Sequence, residues 1–243
     1  MRKEARMADL REKTENKITT YMERSLHAYL KAYFCPDESC HELKIGRYVA
    51  DACDGGTIFE IQTGNFSPLV KKIKFYLENT DFDIVVVRPI AKNRRIFWLD
   101  PVSGEMNKPS RPSPKHEGLP HGIADLFYVR EFLGEKRLSF CCVLMDVNEV
   151  RLLDGYGKDK KKRATSVDRL AGEIHSLTYI RSLDDVREHI LPLLPDGAFS
   201  RDELAKHLKI GGGLKLWSAQ KLLVETGLLS CEKDGKRLVF EKC

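Results

Sequence analysis

The sequence predicts an α/β chain built on a mixed sheet, followed by a small α+β module. Three observations carry that expectation. Ile84-Val85-Val86-Val87 is a continuous β-branched run of the kind a strand buried on both faces requires. Around it, helix-period and strand-like segments alternate up to about residue 156. After Ser182 come three short capped helical segments and the hairpin pair Asp234-Gly235.

The elements follow in order. Ile18, Tyr21, Met22, Leu26, Tyr29, Leu30 and Phe34 recur at three- and four-residue intervals, predicting an amphipathic helix over Glu12–Phe34 that ends before Pro36. Glu42–Ala52 and Thr57–Thr63 read as extended segments pairing antiparallel across the turn signal Asp54-Gly55-Gly56. Ser67-Pro68 opens a second helix with Leu69, Val70, Ile73, Tyr76 and Leu77 on one side. The Ile84–Val87 strand and a further strand at Arg95–Leu99 come next, then a Pro- and Ser-rich loop over Pro101–Pro120. Ile123–Leu133 returns to helical spacing and Arg137–Val147 to strand character.

Lys158–Arg163 is a dense basic run beside Gly155 and Gly157, read equally as a solvated linker or as a phosphate-contacting segment. The expected organisation is a first domain over 1–156, a basic linker over 157–181 and a second domain over 182–243, each domain with its own core.

The composition sets bounds. With 243 residues, 42% hydrophobic and 32% charged, the chain can bury a real core. Forty-one Lys and Arg against 36 Asp and Glu give a mild basic excess, compatible with a nucleic-acid partner. No apolar run approaches the roughly 18 residues of a membrane span, and Met1–Lys17 is charged, so a soluble cytoplasmic protein is expected. Seven cysteines without regular spacing point to reduced thiols; Cys35, Cys40, His41 and Cys53 lack the Cys-x2-Cys knuckle of a zinc site.

Chemistry concentrates in the first half. Glu23 lies on the first helix, Asp51 near the end of one strand, and Glu60 and Gln62, two apart and so on one face, lie on the next. The glycine turn can bring Asp51 beside them. Converging carboxylates form a hard oxygen site suited to Mg²⁺ or Mn²⁺, and without a cation two neighbouring buried carboxylates would drive one to protonate.

Ala50-Asp51-Ala52, then Phe59-Glu60-Ile61-Gln62-Thr63-Gly64 and a helix, with Glu23 before them, resembles the core of the PD-(D/E)XK nuclease superfamily, the restriction-endonuclease-like fold. The similarity spans roughly Glu12–Leu99. It implies that Asp51 and Glu60 hold the metal with the Ile61 carbonyl as a third ligand, that Glu23 is an outer or direct ligand, and that Glu23, Asp51, Glu60 and Gln62 form the catalytic set. Where the family usually has Lys, this chain has Gln62, as in the superfamily's Glu-x-Gln members; Lys71, Lys72 or Lys74 on the following helix would restore the missing charge. The activity implied is metal-dependent hydrolysis of DNA, with room for a homodimer. The alternative is a DNA-binding regulator whose nuclease-like domain has lost catalysis.

In the second domain, Ser182-Leu-Asp-Asp185 and Ser200-Arg-Asp-Glu203 cap two helices, Gly211-Gly-Gly213 breaks the chain, and a third helix over Leu214–Thr226 ends at Gly227. With strands at Leu228–Cys231 and Lys236–Phe240, the organisation resembles the winged helix-turn-helix family. That resemblance implies DNA contacts from Lys215, Ser218 and Lys221 on the third helix and from Lys233, Lys236 and Arg237 on the wing, joined by Lys160, Lys161, Lys162 and Arg163 of the basic run.

Overall fold

The structure is a computed structural model that describes residues 25–100, 102–106, 112–155, 163–235 and 237–243. Its centre is a six-stranded mixed sheet in the order β1-β2-β3-β4-β5-β6, and a smaller three-stranded sheet in the order β7-β9-β8 lies in the C-terminal part.

Helix α1, Ser25–Phe34, buries Leu26, Tyr29 and Leu30, as its spacing dictates. Glu23, on the expected N-terminal part of this helix, lies outside the described residues. A turn at Gly46-Arg47 splits the expected Glu42–Ala52 strand into β1, His41–Ile45, and β2, Tyr48–Asp54. Gly46 permits the turn because its φ is +60° and any Cβ would lie 2.4 Å from the Phe75 ring. Strand β3, Thr57–Ile61, pairs antiparallel with β2 across the glycine turn, as expected.

Helix α2, Leu69–Asn79, then crosses over to β4, which runs parallel to β3. Instead of two strands, Asp83–Leu99 forms one continuous β4, interrupted only by a bulge between Ala91 and Asn93. Helix α3, Leu119–Asp125, and the 3-10 turn Leu126–Phe132 lead into β5, Leu138–Leu152, parallel to β4.

The expected linker needs correction. Thr165–Ile180 forms β6, a 16-residue strand antiparallel to β5, so the sheet continues to residue 180. Charged and polar residues hid it: one face of an edge strand meets solvent, and its burial alternates only weakly.

Beyond β6 come α4, Leu183–Ile190, the short β7, Phe199–Ser200, α5, Arg201–Leu208, and α6, Leu214–Glu225. Both expected capping boxes form, Ser182 with Asp185 and Ser200 with Glu203. Strands β8, Leu229–Asp234, and β9, Arg237–Lys242, close the hairpin at Gly235.

Among the described residues, the two expected domains share a core. Ile58, Phe66, Tyr76, Ile123 and Phe140 of the sheet domain belong to the same apolar cluster as Val186, Leu204, Leu216, Leu222 and Phe240 of the C-terminal part. A second cluster, on the α1 face of the sheet, gathers Leu26, Leu30, Ile61, Val87, Cys141 and Met145. The sheet is therefore covered on both sides, which accounts for the buried β-branched run in β4.

The docking of α6 is specific. Trp217 packs edge-on against Phe127 at 5.0 Å, Ser218 faces the Tyr128 hydroxyl at 3.4 Å, and Lys215 pairs with Asp125. Asp125, 7% exposed, also holds Arg88 at 2.8 Å, so α3, α6 and β4 meet at one buried carboxylate.

Candidate metal centre on β2, β3 and α2

The recorded pairing of β2 with β3 ends at Ala52 and Phe59. There Asp51 turns its side chain to the neighbouring strand, and its Oδ2 accepts the Ile61 N–H at 2.7 Å. The same oxygen lies 3.2 Å from His27 Nε2 on α1. Burial pushes the Asp51 carboxyl up, but the His27 contact, the Ile61 N–H and the charge of Lys72 outweigh it and hold it below the ordinary value.

Glu60, one strand over, is 3% exposed. Its Oε2 accepts from Lys72 Nζ at 2.7 Å and its Oε1 from the Tyr76 hydroxyl at 3.0 Å. Lys72 and Tyr76 stand four apart on α2 and so share a face. Burial first, then the charge of Asp51, raises the Glu60 pKa to about 7 against the pull of Lys72 and Tyr76. The two carboxylates thus feel each other, and Lys72 acts on both.

Chemically this is a pair of partly desolvated carboxylates in which one stays ionised and the other is poised near neutrality. The donor set has the chemistry to hold a divalent cation, which would offset the Asp51 repulsion that helps raise the Glu60 pKa.

Gln62 does not join them. Its side-chain amide donates to the Asn65 carbonyl in the following loop, while its backbone N–H donates to Val87 O at 2.8 Å and its carbonyl accepts from Arg88 at 3.0 Å. Of the three lysines considered on α2, Lys72 is the one at the carboxylates; Lys74 pairs with Glu78 at 3.9 Å.

Sequence reasoning missed His27 and undervalued Tyr76. His27 sits off the apolar stripe of α1, where nothing local marks it, and the apolar spacing of α2 places Tyr76 only in the core. The i, i+4 spacing of Lys72 and Tyr76 was the legible signal.

The expected DNA contacts divide. Ser218 is 2% exposed and faces the sheet domain, so its assignment is corrected, whereas Lys215 pairs with Asp125 while its side chain is a third exposed. Lys221 points to Glu225 at 3.6 Å on its own helix. Lys233, Arg237 and Arg163 are exposed, whereas Lys160, Lys161, Lys162 and Lys236 lie outside the described residues. Among the described residues, no helix is long and apolar enough to cross a membrane.

Residues 24–181, ending with β6, match the family described as Domain of unknown function (DUF8091). An uncharacterized protein of Treponema pallidum (strain Nichols) is 27% identical over 227 residues, covering 93% of this chain and 87% of that protein. No solved structure matches the chain.

Proposed function

The chain belongs to the DUF8091 family, and we propose that it is a metal-dependent DNA nuclease with a PD-(D/E)XK-like core and a winged-helix module at its C-terminus. The observation that carries this reading is the convergence of Asp51, Glu60 and Lys72 where β2 leaves β3 and α2 packs over them.

The residues fit a hard divalent cation such as Mg²⁺ or Mn²⁺. Asp51 and Glu60 would hold it, with the Ile61 carbonyl as a third oxygen. Bound there, it would supply an activated water and neutralise charge growing on a scissile phosphate. Lys72, 2.7 Å from Glu60, would supply the positive charge that Gln62 lacks. His27 positions Asp51 by holding one carboxylate oxygen, and Tyr76 positions Glu60 in the same way.

DNA would be held by the exposed wing residues Lys233 and Arg237 and by the basic run that ends at Arg163, since α6 is turned inward. Phosphate contacts of this kind make affinity fall steeply with salt.

A second reading, the catalytically silent DNA-binding regulator, is favoured by one observation: the Gln62 amide is engaged with Asn65 rather than with the carboxylates. The two readings part in a single experiment. Purified protein is incubated with plasmid and single-stranded DNA in Mg²⁺ or Mn²⁺, beside Glu60→Gln. Cleavage by the wild type that is lost in Glu60→Gln supports the nuclease; DNA binding without cleavage by the wild type supports the regulator; cleavage that persists in Glu60→Gln excludes this site.

A further inference from the structure

Far from Asp51 in sequence, β5 and β6 carry a second cluster of metal-ligating groups. Ligand atoms of Asp146, Glu173 and His175 all lie within 4.8 Å of one another. His175 Nε2 is 2.8 Å from Asp146 Oδ1, and Asn93 on β4 donates to the same oxygen at 2.8 Å.

The backbone is built around this point. Along β5 the partner in β6 moves from Ser176 opposite Leu144 to Ile174 opposite Met145, and then to Ala171 opposite Val147. Each step carries one extra residue on β6, so His175 and the Gly172-Glu173 pair sit at consecutive bulges. On the other side, β4 is bulged between Ala91 and Asn93, opposite Met145 and Asp146. Bulges re-aim side chains and interrupt a ladder at the cost of pairing, and here three of them surround Asp146. Gly172 passes so close that a Cβ would stand 2.8 Å from both the Cβ and the carbonyl oxygen of Asp146. Only glycine lets β6 run near enough to bring Glu173 and His175 to that carboxylate.

We propose that Asp146, Glu173 and His175 bind a divalent first-row transition-metal ion, with Asn93 orienting the Asp146 carboxylate. One imidazole with two carboxylates suits Zn²⁺, Co²⁺ or Mn²⁺ better than Ca²⁺ or Mg²⁺, which prefer oxygen alone. Three protein ligands leave an open position for water. The ion staples the edge strand β6 to β5. The site is separate from the Asp51 and Glu60 pair and does not depend on the nuclease reading.

Co²⁺ is the probe, because its absorption spectrum separates nitrogen and oxygen ligation from thiolate ligation at any of the seven cysteines. Full-length protein is titrated with Co²⁺ by calorimetry and absorbance, beside His175→Ala, Glu173→Gln, Asn93→Ala and Glu60→Gln. Wild type binds one more equivalent than His175→Ala, and that equivalent lacks a thiolate charge-transfer band. Glu173→Gln, at an exposed position, weakens or loses the same equivalent even if His175→Ala disturbs the strand. Asn93→Ala keeps the stoichiometry with about 10- to 100-fold weaker affinity, the effect of removing a group that orients a ligand. Glu60→Gln retains this equivalent, so failure of the Asp51 site leaves the result readable. Equal stoichiometry and affinity in wild type, His175→Ala and Glu173→Gln would overturn the proposal, as would a thiolate band on the equivalent in question.

Discussion

Lys72 Nζ lies 2.7 Å from Glu60 Oε2, so a helix lysine serves as counter-charge to a carboxylate that is 3% exposed. The pairing is incomplete compensation, because burial and Asp51 still leave Glu60 with a pKa near 7.

From this follows a pH dependence. The folded-state pKa, about 7, lies above the ordinary 4.5, so between those values the folded protein binds more protons at Glu60 than the unfolded chain does. The stability contributed is fully present below about pH 4.5 and is lost as pH rises through 7. Glu60→Gln is therefore expected to flatten urea-unfolding stability across this window and to be the more stable protein at pH 8, by roughly 3 kcal/mol at most. Mg²⁺ should raise the wild-type melting temperature at pH 8 and leave Glu60→Gln unmoved. An unchanged slope in Glu60→Gln would refute the electrostatic account.

Lys72→Met removes the cation that holds Glu60 down and so moves its proton loss to higher pH. If the protein is a nuclease, the same change should lower cleavage by on the order of 10²-fold, the usual effect of losing one transition-state partner. Gln62→Lys, toward the commoner family form, should preserve or raise activity. Full activity in Lys72→Met would show that Lys72 is only a structural counter-ion.

At the junction of α3, β4 and α6, Asp125→Asn should cost about 3 kcal/mol, since it leaves Arg88 buried beside an uncharged partner. Lys215→Met should cost about 1 kcal/mol or less, because Lys215 is a third exposed. Chemical denaturation gives both values, and the reverse order would contradict the assigned roles.

Deleting 182–243 is expected to destabilise the sheet domain rather than release it intact, because Ile123, Leu126 and Val129 lose the partners they share a core with. The truncated chain should aggregate or melt well below the full chain. Native-like melting of the truncated protein would mean that the shared cluster contributes little.

Gly46→Ala places a methyl group against the Phe75 ring at a φ of +60°, a conformation only glycine takes freely. The expected cost is roughly 1–3 kcal/mol. Because β2 carries Asp51, backbone amide exchange should quicken in the β1–β2 hairpin first.

The sequence by itself determined many of the local elements and the neighbouring placement of Asp51 and Glu60. Period and capping gave α1, α2, the boxes at Ser182 and Ser200 and both glycine turns, since those signals reside in neighbouring residues. It also put Asp51 and Glu60 on adjacent strands. Only the tertiary structure decided the rest. Strand β6 was illegible because an edge strand with one solvated face carries little apolar pattern. The inward turn of α6 depends on Asp125 and Tyr128, some 90 residues away, and the same spacing that suits DNA recognition also suits docking. His27, Lys72 and Tyr76 meet the carboxylates, and Asn93 meets Asp146, through packing and strand register. Those are long-range relations, and a periodicity of two or 3.6 residues carries no information about which distant face a side chain will find.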